Sequence, residues 1–148
     1  MSSVVLGLHN FTRWLVVLLA IVALLRALRR LNGGAEYATG AKRTLSLFTM
    51  SLHLQFLLGV VLYFVSPLPR HAMSDLGAAM REPGVRYFIV EHPALMLLAI
   101  VVATATGIIA RRGPDDTVRH RRAAIGVAVA LGLLLAGIPW QRPLLPHF

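Results

Sequence analysis

The sequence predicts an all-α integral-membrane protein, an up-down-up-down bundle of four helices forming one domain over residues 1–148. Three observations predict it. The chain is 57% hydrophobic and only 14% charged, with a mean hydropathy of +0.70, whereas soluble domains carry about a quarter charged residues. Its apolar residues fall in four long blocks, Val4–Leu25, Leu45–Val65, Tyr87–Ala110 and Ala123–Ile138, close to the roughly 20 residues that a membrane-crossing helix needs. Its basic residues alternate between the connections: Arg26, Arg29, Arg30, Lys42 and Arg43 follow the first block, and Arg111, Arg112, Arg119, Arg121 and Arg122 follow the third, against Arg70, Arg81, Arg86 and Arg142 elsewhere. Ten against four is a positive-inside bias. It puts both basic loops in the cytoplasm and both termini on the periplasmic side of a bacterial cytoplasmic membrane.

The first helix is expected over 4–25, extending to 30. MSSVVLG lacks a basic leader and the arginines come after the apolar run, the pattern of an uncleaved helix with its N-terminus outside. Gly33, Gly34 and Gly40 mark a turn. The second helix, 45–65, stops at Ser66-Pro67-Leu68-Pro69, because proline cannot continue a helix. In the outer loop Ser74 or Asp75 can cap a short interfacial helix, and Pro83-Gly84 closes the loop. The third helix, 87–110, ends at Gly113-Pro114; Asp115, Asp116 or Thr117 can cap the fourth, 122–140. Two stripes of small residues, Ala99-Ala103-Gly107 and Ala124-Ala128-Gly132-Ala136, are expected to be helix–helix seams. Short connections make successive helices antiparallel neighbours.

The net charge of +9 does not define a nucleic-acid partner, since the cations sit in membrane-flanking loops where anionic lipid heads are the natural contact. The absence of cysteine excludes disulfides, thiolate metal sites and thiol nucleophiles within these residues. No hydrolytic triad or phosphate-binding glycine loop is visible.

Polar residues within the apolar blocks are few: His9, Asn10, Thr12 and Arg13; Thr49, Ser51, His53, Gln55 and Tyr63; Glu91, His92, Thr104 and Thr106. The fourth block has none. An ionisable group at membrane depth costs about 2.5 kcal/mol or more, so these residues mark the candidate site. At ~1.5 Å per residue, His9 and His92 each lie roughly 7 Å below the outer edge, on different helices, while His53 lies roughly 18 Å down. Two imidazoles at one depth suit bis-histidine ligation of haem iron. Arg13, one turn from His9, can reach back toward the outer surface as counter-ion to a propionate; Arg86 and Arg142 are further cations on that side.

Other readings of the same residues stand beside this one. His9 and Arg13 can pair with Glu91 as a staple between helices, and Glu91-His92-Pro93 can be a first helical turn without a ligand role. Trp14 reads as a packing or interfacial aromatic, His71 and His147 as solvent-facing, and His120 as part of a basic interfacial patch. His53 and Gln55 lie about 200° apart on their helix: His53 shares a face with Met50, Leu57 and Val60, and Gln55 with Gly59 and Tyr63. Open to His53 are an axial position in place of His9 or His92, a second haem, a quinone or proton-relay role, or a structural hydrogen bond.

HNFTRW at 9–14, HLQFLLGVVLYF at 53–64, RYFIVEHPALMLLA at 86–99 and IPWQRP at 138–143 together resemble a family of small bacterial four-helix membrane proteins labelled cytochrome b. The resemblance spans nearly the whole chain. It implies haem b held by histidines within the bundle, with His9, His53 and His92 as the ligand candidates, and electron exchange with quinol or a protein partner. The ascorbate-reducible di-haem cytochromes are less similar, because they pair histidines at both membrane levels. Three functions are therefore expected in order: a haem-b electron carrier; a cofactor-free accessory subunit of a larger respiratory or photosynthetic membrane complex; and a membrane oxidase of a lipid-soluble substrate such as a porphyrinogen.

Overall fold

The computed structural model describes residues 2–29, 31 and 39–140. The glycine turn at Gly33-Gly34, Arg30, Arg142, His147 and the tail beyond Trp140 lie outside the described residues. Helices α1 (Ser2–Arg29) and α2 (Thr39–Val65) are followed by three short ones, α3 (Pro67–Ser74), α4 (Leu76–Arg81) and α5 (Pro83–Arg86). A π-helical turn, Tyr87–Glu91, then leads into α6 (His92–Arg111), and α7 (Asp116–Gly137) is the last helix among the described residues. No strand occurs among the described residues. Four stretches are long and apolar enough to cross a membrane: Ser3–Arg29, Gly40–Val65, Pro83–Arg111 and Asp116–Gly137.

These helices are apolar all round. Phe11, Leu18, Met50, Leu57, Phe64, Val101 and Ile125 all lie exposed on outward faces. A water-facing bundle would carry polar side chains there; a helix apolar on every side belongs in a large core or in a membrane. The four long helices pack as a ring, α1 on α2, α2 on α6, α6 on α7 and α7 on α1, with α2–α6 the least extensive contact. Hence α1 and α6 stand diagonally across the bundle.

One seam runs along each long helix: Arg13, Val16, Ala20, Ala23 and Ala27 on α1; Leu45, Phe48, Leu52 and Gln55 on α2; Ala99, Ala103, Thr106 and Ala110 on α6; His120, Ala123, Val127, Ala130, Leu134 and Gly137 on α7, with Val17, Thr44 and Ala124 buried beside it. The steps along the seam alternate between three and four, the pattern of a left-handed bundle. This revises the expected stripe on α7. Ala124 is buried, but Ala128, Gly132 and Ala136 are exposed. A strict four-residue step advances 400°, so it drifts about 40° per step and walks out of the interface. On α6 the stripe holds through Ala99 and Ala103 and then moves to Thr106 and Ala110. The tightest crossing is Gly126 against Thr106: a Cβ on Gly126 would lie 2.7 Å from the Thr106 Cβ, so only glycine admits this approach. His120 is also revised. It is fully buried, on the seam with Ala123 and Val127 and not in a basic surface patch.

Ends are set locally. Asp115 accepts from the Val118 N–H at 2.8 Å and starts α7 six residues ahead of 122, and Asp75 accepts from the Ala78 N–H at 2.9 Å and starts α4. Such caps contribute about 1 kcal/mol each. Pro93 is accommodated by the π-helical turn just before it: the His92 N–H bonds back five residues to the Tyr87 carbonyl. Proline offers no N–H to the carbonyl four residues earlier, that of Ile89. The Tyr63 hydroxyl of α2 donates to it at 3.1 Å. Helix is thus continuous through Glu91-His92-Pro93, and His92 lies within a long helical segment.

Candidate functional site

His9 and His92 meet across the bundle. Their ring centroids are 6.4 Å apart and the ring planes cross at 70°. The layer they occupy takes one residue from each long helix. His9 comes from α1 and Gly59 from α2, where a Cβ would sit 3.3 Å from the His9 Cε1. His92 comes from α6, and Gly137 of α7 accepts at its carbonyl the Nδ1–H of His92 at 2.7 Å. The two corners between the histidines are therefore glycines.

Each histidine is held by backbone chemistry. The bond to Gly137 fixes the proton of His92 on Nδ1 and leaves Nε2 with its lone pair, the tautomer that metal-ligating histidines commonly show. His9 is held through its main chain: Gln55, buried on α2, donates from Nε2 to the His9 carbonyl at 2.9 Å and accepts from the Thr12 hydroxyl. One amide thus ties α2 to the turn of α1 that carries His9. The His9 Nδ1 is buried without a hydrogen-bond partner among the described residues, an arrangement that buried polar atoms rarely keep.

Arg13 is buried one turn along α1. Its Nη1 lies 3.4 Å from the Asn10 Oδ1, and its guanidinium is 5.4 Å from the Trp14 ring centre. It thus folds back toward the level of His9. Glu91 does not staple α1 to α6, because its carboxylate takes the Arg86 Nε at 2.8 Å. The two are five residues apart, in register across the widened turn, and Arg86 is thereby committed to an ion pair. Tyr87 and Phe88 flank His92, with ring centroids at 6.2 and 6.4 Å.

His53 stands elsewhere. It is exposed on the outward face of α2, and its Nδ1–H donates to the Thr49 carbonyl at 2.7 Å. The structure does not bring it to His9 or His92, and it shares no cavity with Gln55, which faces inward. Met50, Leu57 and Val60 are exposed with it, as the shared face requires.

The centroid separation matches the spacing of two axial imidazoles on one metal. A metal about 2 Å from each imidazole nitrogen, with ring centres about 1 Å behind those nitrogens, holds two centroids about 6 Å apart. Each ring can turn about its own metal–nitrogen axis, so planes crossing at 70° are compatible with that arrangement. No cluster of three or more histidine, aspartate or glutamate side chains suited to a metal ion occurs among the described residues; two imidazoles alone would suit only a metal whose other ligands arrive with it. Sequence reasoning placed His9 and His92 at one depth with Arg13 one turn away, and the structure brings the two imidazoles together. It missed Gly59 and Gly137, which offer no side chain to notice, and set Gln55 with His53 beside a lower cavity for a quinone head, whereas Gln55 is buried and His53 exposed; the three-and-four seam through Leu52, Gln55 and Gly59 is the signal that marks Gln55 as inward. Comparison with protein-family models, curated proteins and solved structures gives no significant match.

Proposed function

We propose that this chain is a haem-b protein of a bacterial cytoplasmic membrane, bound through His9 and His92 near the end of the bundle opposite the basic loops, and that it exchanges electrons with a lipid-soluble carrier of the quinol class. The observation that carries the proposal is the 6.4 Å separation of two imidazoles on diagonal helices, one with its Nδ1 proton fixed by Gly137 and the other with an unpartnered buried nitrogen. Haem supplies one-electron redox chemistry that no side chain here provides. The protein contributes the two ligands, an apolar surround, the Gln55 clamp on the His9 turn and the Arg13 charge for a propionate. The apolar outward faces and the alternating basic loops support insertion with both termini outside.

The test is a reduced-minus-oxidised absorption spectrum, with haem stoichiometry, of the detergent-purified protein. His9→Ala and His92→Ala are expected to abolish the haem bands while the protein still inserts. Full spectra in both variants, or a colourless wild type purified from haem-replete cells, would overturn the reading. Colourless protein held in a stable larger complex would instead favour the accessory-subunit function.

A further inference from the structure

At the end of the bundle opposite the histidines, Lys42, Arg43 and Ser46 of α2, Arg111 of α6 and Arg119 of α7 line a cleft of about 520 Å³. Three helices contribute its four cations, with Lys42 and Arg43 far in sequence from Arg111 and Arg119. Asp116 neutralises one of them, pairing with Arg119 at 2.8 Å. Arg43 and Arg111 form no ion pair or hydrogen bond with another described residue. The cleft therefore keeps the charges of Arg43 and Arg111 unpaired among the described residues, at one point on the bundle rim.

We propose that this cleft binds the phosphodiester headgroup of an anionic phospholipid. Phosphate oxygens match converging guanidinium groups, with Arg43 and Arg111 able to donate in pairs, and the Ser46 hydroxyl adds a neutral donor. Headgroup and tail are provided for together. One turn further along α2 and α6 from Arg43, Ser46 and Arg111, Leu47, Met50 and Ile108 are exposed and apolar, and α2–α6 is the least extensive of the four helix contacts. A free anion would need only the charge; a lipid needs the charge at headgroup level with an apolar strip directly beneath it. Basic pockets between helices at the cytoplasmic surface are a recognised form of lipid site. The proposal rests on membrane insertion and not on haem.

The test titrates the purified full chain, in a mild detergent, with phosphatidylglycerol, phosphatidylcholine or inorganic phosphate, reading bound-lipid mass and the thermal unfolding midpoint. Phosphatidylglycerol is expected to bind and raise the midpoint, and the other two are not. Each headgroup cation is worth about fivefold in affinity, so Arg43→Gln/Arg111→Gln weakens phosphatidylglycerol binding about 25-fold. The control pair Arg29→Gln/Arg121→Gln removes the same charge from exposed positions at the same end and changes affinity little. Where the double variant does not fold, the single exchanges decide, at about fivefold each. Equal weakening by both pairs, equal binding of phosphatidylcholine, or displacement of the lipid by millimolar inorganic phosphate overturns the proposal. None of these readouts involves His9 or His92, so failure here and loss of the haem reading are distinguishable.

Discussion

The Tyr63 hydroxyl donates to the Ile89 carbonyl at 3.1 Å, the acceptor four residues before Pro93, which has no N–H to offer it. One helix thus completes the backbone hydrogen bonding of another just above the layer that holds His92. A buried carbonyl needs such a donor, so the proline and the tyrosine act as a pair.

Tyr63→Phe is expected to destabilise the folded bundle by about 0.5–2 kcal/mol, measured by unfolding in mixed micelles. Pro93→Ala restores the missing N–H. In that background Tyr63→Phe is expected to cost much less, and equal costs in the two backgrounds would show that the hydroxyl does not serve the proline.

Gln55 is expected to tolerate an apolar replacement better than a charged one. Thr12 keeps a second acceptor in the Leu8 carbonyl at 2.8 Å, and the His9 carbonyl lies within a continuous helix. Gln55→Leu should therefore cost only about 1 kcal/mol. Gln55→Glu sets a carboxylate oxygen against the His9 carbonyl in a buried site, and is expected to cost 3 kcal/mol or more, to the order of magnitude of a broken buried polar pair. The same unfolding assay ranks the two; Glu at or below the cost of Leu contradicts the clamp.

Gly126 and Gly132 separate the observed seam from the four-residue stripe. A Cβ at Gly126 collides with Thr106, whereas one at Gly132 meets nothing within 4 Å. Gly126→Ala is expected to destabilise by about 1–3 kcal/mol, while Gly132→Ala is neutral or gains up to about 1 kcal/mol from helix propensity. The reverse order would mean that α7 presents its other face to the bundle.

His53 and Gly59 test the membership of the histidine layer. His53→Ala is expected to leave the haem spectrum unchanged, because the ring is exposed and bonded to its own helix. Gly59→Leu fills the corner beside the His9 ring and is expected to lower haem content several-fold without preventing insertion. A spectrum lost in His53→Ala but intact in Gly59→Leu would move the centre to the outer face of α2.

The four apolar blocks made the long helices legible, because hydrophobic length is what a membrane span requires. Hydropathy marks only the part of a helix that lies in hydrocarbon. It misses the starts of α2 and α7, where Lys42, Arg43, Arg119, Arg121 and Arg122 continue the helix among charged residues. The common depth of His9 and His92 could be counted from the block edges. Their diagonal placement could not, since it depends on which helices close the ring. The Gly137 carbonyl and the Gly59 gap were invisible for a different reason: both act through backbone or through a missing side chain. His120 was obscured by its arginine neighbours in sequence, although its spacing of three and seven from Ala123 and Val127 places it on the core face.

The wide turn at Tyr87–Glu91 holds one residue more than an α-helical turn and joins the cap of α3–α5 to the buried seam of α6, where a slip joint would sit. A residue added to or removed from the outer loop can be absorbed there by loosening or tightening a single coil. Variation in the length of that loop therefore need not swing His92 out of the bundle, and the α3–α5 end is free to be remodelled while the interior keeps its phase.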